Sequence, residues 1–309
     1  MSEFSGDPLI IFVPGLKPKP EPAAHRYELF RCLLEGVRRI DEETARQMGE
    51  CDQCFDIIAW TYDFYGEHRD LNIDLASIDA LIQQKSATEQ DIAEATSLKR
   101  RFLRWIYTLA DNFPFLMHPV ADENLEIHLR DLRRYLKNKN DVAEVVRRLL
   151  KVPLCAAWKL ERPVLLIGHS MGSIIAYDSL WQLSQESESE DNIDLFMTMG
   201  SPLAQKFIQR RIKGSKESLA NRYPRNVRRW VNVAAVGDLT SIDMRLENDY
   251  DEMVDLGLTA SIEDRQVFNY FRLDGELNVH AEYGYLINEV TAGFVSKWWR
   301  SVMPVRGSA

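Results

Sequence analysis

Apolar and polar positions divide the chain into two kinds of segment. Leu9-Ile-Ile-Phe-Val13 is a continuous apolar run, the pattern of a strand buried on both faces, and it stops at Pro14-Gly15-Leu16. Residues 164–167 are a second apolar run, 55–60, 194–199 and 230–236 also read as strands, and 266–273 is a further β-rich run before the turn signal Asp274-Gly275. Between these runs the apolar residues recur at helical spacing over 24–40, 91–111, 123–136, 141–150 and 283–299. In 123–136, for example, Leu125, Leu129, Leu132 and Leu136 share one face. The polar stretch 41–52 and the acidic stretch 243–264 read as loops. Strands alternating with helices predict an α/β fold, a mainly parallel sheet of about six strands with helices on both faces.

Residues 66–160 carry no strand pattern, which is far more chain than a strand-to-strand crossover needs. Part of this region, 66–122, is therefore read as a helical insertion within one domain spanning 1–309. Its most apolar part, 102–119, holds Trp105, Ile106, Phe113, Phe115, Leu116 and Met117. Helices packed into the core explain that composition, and so does a segment folded over a site.

The chemistry concentrates at Gly168-His-Ser-Met-Gly172, where the run Val164 to Ile167 ends and a helical pattern with Ile174, Tyr177 and Trp181 begins at once. This is a G-x-S-x-G turn between a strand and a helix, the context in which the motif presents a serine nucleophile. Ser170 would stand at a helix N-terminus, where free N–H groups and the helix dipole favour developing negative charge. A serine hydroxyl needs a base to take its proton, and the base needs a third group to orient it.

In this architecture the acid and then the histidine follow the serine. Of the six histidines (His25, His68, His118, His128, His169 and His280) only His280 lies after Ser170, just past the last β-rich run. The acid must fall between them at the carboxyl end of a strand. Asp238, directly after 230–236, meets both conditions, and Asp243 is the reserve candidate. The oxyanion donors would be the backbone N–H of Met171 and, from the loop after the first strand, that of Leu16, since Pro14 has none.

These segments, together with Gly200-Ser-Pro-Leu203 and His280-Ala-Glu-Tyr283, resemble the α/β-hydrolase superfamily of the serine lipase/esterase type, in the right order along almost the whole chain. The resemblance implies that fold, an acyl-serine mechanism acting on a carboxylic ester, and a triad of Ser170, Asp238 and His280. Acyl transfer and thioester cleavage use the same site, and a non-catalytic interaction protein is the remaining alternative. Two features depart from the family pattern. Pro14-Gly15 replaces the usual His-Gly before the oxyanion donor, and the long insertion matches no known cap. On the lid reading, Phe113 and Phe115 would wall the acyl chain.

Composition narrows the partners. A net charge of −9 over 309 residues argues against a general nucleic-acid binder. Within this acidic chain, Lys206 to Arg229 carries nine Lys/Arg and one acid, Glu217, and fits either a solvated face or contact with anionic lipid. The start lacks a signal-peptide pattern and no run approaches the ~20 apolar residues that span a bilayer, so a cytoplasmic protein is expected. Cys51-Asp-Gln-Cys54 reads as a redox pair, half a metal site or reduced loop thiols; with no second ligand pair in the sequence, no metal and no cofactor is inferred.

Overall fold

The computed structural model describes residues 6–104, 123–186, 192–241 and 244–303, with backbone alone for 123–129. Six strands form one sheet: β1 (Leu9–Val13), β2 (Phe55–Ile57), β3 (Val164–His169), β4 (Leu195–Met199), β5 (Arg229–Ala235) and β6 (Ser261–Val267). They lie in the order β2-β1-β3-β4-β5-β6, and every pairing is parallel. A two-stranded hairpin, Arg272–Leu273 with Glu276–Leu277, turns at Asp274-Gly275.

The sheet is buried on both sides because its strands alternate between two apolar layers. Ile10 and Phe12 join one core with Leu29, Leu33 and Val37 of the helix Pro22–Ile40 and with Val295, Trp298 and Trp299 of the last helix, Glu289–Val302. Leu9, Ile11 and Val13 join the other with Val146, Leu150 and Leu154 of the helix Val142–Lys159 and with Ile174 and Ile175 of Met171–Glu186. Period two along each strand produces this division directly.

Several boundaries differ from the sequence expectation. The second strand ends at Ile57, and Trp60 heads a short helix, Trp60–Tyr65, with its indole donating to the Pro14 carbonyl at 2.8 Å. Residues 41–52 are not a loop. Asp41 caps the helix Glu42–Gly49 by accepting from the Thr44 N–H, and only Thr44, Ala45 and Met48 are buried, too narrow a stripe to read as periodic. The helix expected over 91–111 breaks at Ser97: Glu89–Ala95 starts at a Thr88–Asp91 capping box, and a second helical run covers 98–104. The helix Val142–Lys159 continues nine residues past the expected end, through Pro153. The acidic stretch 243–264 holds the helices Glu247–Tyr250 and Glu252–Asp255 and most of β6, so the sixth strand precedes the run 266–273. The last helix is divided, with Glu282–Leu286 separated from Glu289–Val302 by the N-cap Asn288.

The region 66–122 is helical where described, over Asn72–Gln83, Glu89–Ala95 and 98–104. Phe113, Phe115 and the rest of 105–122 lie outside the described residues. Arg100 reaches from this region to the carbonyls of Gly237 (3.3 Å) and Leu277 (2.9 Å), the loops that precede Asp238 and His280. Because all six strands are parallel, the loops bearing Gly15, Ser170, Gly200, Asp238 and His280 leave the same edge of the sheet.

Candidate active site

β3 delivers the chain to Ser170 in the left-handed region, φ 52°. For a non-glycine residue this costs on the order of 1–3 kcal/mol and persists only where surrounding structure holds it. Here the Ser170 N–H donates to the Met199 carbonyl at 2.9 Å. Its carbonyl accepts from the Ser173 N–H at 3.0 Å and the Ser173 hydroxyl at 2.6 Å. Ser170 is 8% exposed, so the candidate nucleophile is buried at the sheet edge rather than on the surface.

Gly172 lets the elbow helix approach the first strand. A β-carbon there would lie 2.0 Å from the Val13 carbonyl oxygen and 2.7 Å from that of Pro14. Gly172→Ala is therefore expected to destabilise the protein by at least the ~1–3 kcal/mol of an overpacked core, a fall of several degrees in a thermal scan. An unchanged Tm would mean that the β1 loop yields freely.

Asp238 follows β5 and is 3% exposed. Three donors converge on its carboxylate: His280 Nδ1–H at 2.8 Å and the Tyr285 hydroxyl at 2.7 Å on Oδ2, and the Thr240 N–H at 2.8 Å on Oδ1. Burial pushes this carboxyl up. The adjacent His280 charge and the bonds from His280, Tyr285 and Thr240 outweigh it and hold the group below the usual carboxylate value. Gly200, at φ 53°, leaves room for the pair, since a β-carbon would lie 2.9 Å from Asp238 Oδ2 and 3.0 Å from His280 Nδ1.

The remaining polar groups of His280 are taken up as well. Its N–H donates to Asn278 Oδ1 at 3.1 Å, and its carbonyl accepts from His169 Nε2 at 2.8 Å. With Nδ1 donating to Asp238, the neutral ring has its lone pair on Nε2, the form in which it accepts a proton. Among the described residues no hydrogen bond joins Ser170 Oγ to this ring. Ser170 and the Asp238–His280 pair share one edge of the sheet.

The loop after β1 lies against the elbow: a β-carbon on Gly15 would be 2.9 Å from Ser170 Cβ. The N–H groups of Leu16 and Met171 make no hydrogen bond among the described residues. The loop is held by Trp60 at the Pro14 carbonyl, by the Tyr65 hydroxyl accepting from the Lys17 N–H at 3.1 Å, and by the Arg69 N–H at the Lys19 carbonyl (3.0 Å).

Two buried residues beside the site were not singled out in the sequence. Glu282, 4% exposed, accepts from Lys19 Nζ at 2.9 Å and is bonded to His25 Nε2 at 2.8 Å, while His169 Nδ1 stands 3.5 Å away. Burial pushes this carboxyl up, and the charges of Lys19 and His25 override it and leave it well below the usual value. Burial lowers the His169 imidazole, with Glu282 offsetting only part of that effect. Tyr285 also bonds the Ala235 N–H, tying the acid to the strand that carries it. Only the two-residue spacing of Glu282 from His280 is a sequence signal; the partners Lys19, His25 and His169 come from distant segments.

Of the other candidates, His68 stacks on Tyr62 with ring centroids 4.6 Å apart. Asp243, His118 and the side chain of His128 lie outside the described residues. In the basic segment Arg210, Arg211 and Lys216 are exposed, while Lys206 pairs with Asp249 at 3.3 Å.

A family model described as lecithin:cholesterol acyltransferase matches residues 143–220, which contain the elbow and its helix. No curated protein and no solved structure gives a match. The matched family is one of lipid acyl transfer and ester hydrolysis, which supports an enzyme acting on esters. This match and the six-stranded parallel sheet together fit the chain to the α/β-hydrolase superfamily.

Proposed function

We propose that the protein is a serine hydrolase that cleaves a carboxylic ester through an acyl-serine intermediate. The observation that carries this reading is the Asp238–His280 bond of 2.8 Å on the same sheet edge as Ser170 in its left-handed turn. His280 Nε2 takes the hydroxyl proton as Ser170 Oγ bonds to the ester carbonyl carbon. The carbonyl π pair moves onto oxygen, where the N–H groups of Leu16 and Met171 stabilise it. The ester C–O bond then breaks, and the alcohol leaves with the proton from His280. Water attacks the acyl group in turn, gives its proton to His280, and the carboxylic acid departs as Ser170 recovers its hydrogen. Asp238 keeps its charge throughout and stabilises the imidazolium.

The acyltransferase match favours a second reading of the same site, in which an alcohol acceptor replaces water in the final step. A fluorophosphonate probe tests the common first half: covalent labelling confined to Ser170 supports it, and no labelling of folded protein rejects it. Product analysis with a p-nitrophenyl ester and an added long-chain alcohol separates free acid from transferred ester.

The basic segment bears on where such a substrate is met. Electrostatic attraction of Lys206 to Arg229 to anionic lipid predicts vesicle binding that weakens with added salt, because exposed charges are screened over about 10 Å at 0.1 M. Neutralising Arg210, Arg211 and Lys213 should weaken it further. Equal sedimentation with neutral and anionic vesicles would return the segment to a solvated face.

A further inference from the structure

Ser170 and His280 leave the sheet from different strands, and an in-line proton transfer requires His280 Nε2 to be aimed to within a few tenths of an ångström. The bond to Asp238 fixes the ring about one atom, Nδ1, and leaves the main chain that carries the ring to be held by something else. His280 sits in a connection between the hairpin strand Glu276–Leu277 and the short helix Glu282–Leu286, with no sheet partner of its own. Its carbonyl is held by one side chain, that of His169, the residue immediately before the nucleophile.

We propose that His169 is a positioning residue, a strut that fixes the distance between the nucleophile elbow and the main chain of the base, and that Glu282 is the buried hub beside it, which ties the loop after β1 and the first long helix to the segment bearing the base. His169 belongs to β3, the most firmly anchored part of the site, and is 4% exposed. Its Nε2–H donates to the His280 carbonyl at 2.8 Å, since a carbonyl can only accept. The two rings lie with centroids 4.7 Å apart, so the strut also walls one side of the base.

Glu282, two residues past His280, reaches Lys19 at 2.9 Å in the loop after β1, His25 at 2.8 Å in the first long helix, and His169 Nδ1 at 3.5 Å. One carboxylate thus bonds the loop bearing the proposed oxyanion donor and the first long helix to the segment bearing the base, while His169 Nδ1 packs beside it without a hydrogen bond among the described residues. A buried acid with a buried histidine and a largely buried lysine around it is costly to assemble, and removing one member leaves an uncompensated charge. Packing alone does not call for such a group at this place. Joining the loop after β1 to the segment bearing the base, which must keep register during proton transfer, does.

The proposal rests on the serine-hydrolase reading of Ser170 and His280, and its test compares two near-isosteric variants. In His169→Gln the amide nitrogen occupies nearly the position of Nε2 and can still donate to the His280 carbonyl. In His169→Asn the amide falls about where Nδ1 was and cannot reach. On a p-nitrophenyl ester, His169→Asn should lower kcat at least tenfold with KM within twofold of wild type, and His169→Gln should recover most of that loss. Melting temperatures of the two variants should agree within a few degrees. Glu282→Gln should also lower kcat, and combined with His169→Asn it should cost little more than the worse single change, because both hold the same segment, that of the base. Equal loss in the Asn and Gln variants, no loss in either, or a change confined to KM would overturn the strut. Fully multiplicative losses in the double variant would overturn the hub. If Glu282→Gln does not fold, the Asn–Gln comparison alone still decides the strut. Wild-type protein that labels with fluorophosphonate while His169→Asn matches it in kcat sinks this proposal only. Wild-type protein that fails to label takes down both.

Discussion

Ser170→Ala and His280→Ala should each remove nearly all turnover, about 10⁴-fold or more in kcat, while leaving the protein folded. The size follows from what each change deletes. Without the Ser170 oxygen no acyl-enzyme forms, and only binding and oxyanion stabilisation remain. Without His280 the hydroxyl keeps its proton, and Asp238 is left facing a cavity at the sheet edge. The two losses should not multiply: the double variant should resemble either single one, because serine and base act in one step. Folding should survive both changes. Ser170 makes no side-chain hydrogen bond among the described residues, and alanine can occupy a left-handed turn that the Met199 and Ser173 contacts already enforce. The His280 side chain is 32% exposed, so its removal opens little core. Steady-state kinetics with a p-nitrophenyl ester, beside circular dichroism of each variant, reads the outcome. Substantial esterase activity in purified, folded Ser170→Ala would move the nucleophile elsewhere.

How much of this was legible in the sequence depended on burial. Strands β1, β3, β4 and β5 are covered on both faces, so their residues are mostly apolar and stand out. β6 is an edge strand in which only Ile262 and Val267 are buried, one in each core, and Ser-Ile-Glu-Asp-Arg-Gln-Val reads as loop because neither face shows a run of apolar positions. The run that starts at Phe55 was read too long because Trp60 is apolar for a different reason. It packs into the second core and spends its one donor on the loop after β1.

The site divides in the same way. Ser170 and His280 stand out in the sequence because a strand–turn–helix motif is local and because chain order eliminates every other histidine as its partner. Asp238 stands out because it ends a strand. Nothing local marks Glu282 and His169. Their partners lie 263 and 111 residues away in sequence, and only the closure of the sheet brings those segments together. Tyr285 was missed for that reason too, 47 residues from the carboxylate it bonds.

Asp238→Asn should cost about 10³–10⁴-fold in kcat, and the hydrogen bonds around the carboxylate say why a change of one atom has so large an effect. All three partners of Asp238 donate: His280 Nδ1–H and the Tyr285 hydroxyl to Oδ2, and the Thr240 N–H to Oδ1. An asparagine must turn its amide nitrogen toward one side. Toward Thr240 it meets a backbone N–H, which cannot rotate or give up its proton. Toward Oδ2 it meets a hydroxyl that can rotate and a histidine that can change tautomer. The second orientation therefore wins. It places a donor against Nδ1, moves the imidazole proton to Nε2, and leaves the base unable to accept from Ser170. The fold should be little affected, since the shape is unchanged and a buried charge has been removed. Asp243→Asn, at the reserve candidate of the sequence reading, should change kcat by less than about tenfold, the scale of an indirect electrostatic change rather than a lost tautomer. Tyr285→Phe should fall between the two, because the carboxylate keeps His280 and Thr240 and loses one donor. Comparing kcat for the three variants at the same pH tests the ranking. Full activity in Asp238→Asn with a large loss in Asp243→Asn would transfer the orienting role to Asp243.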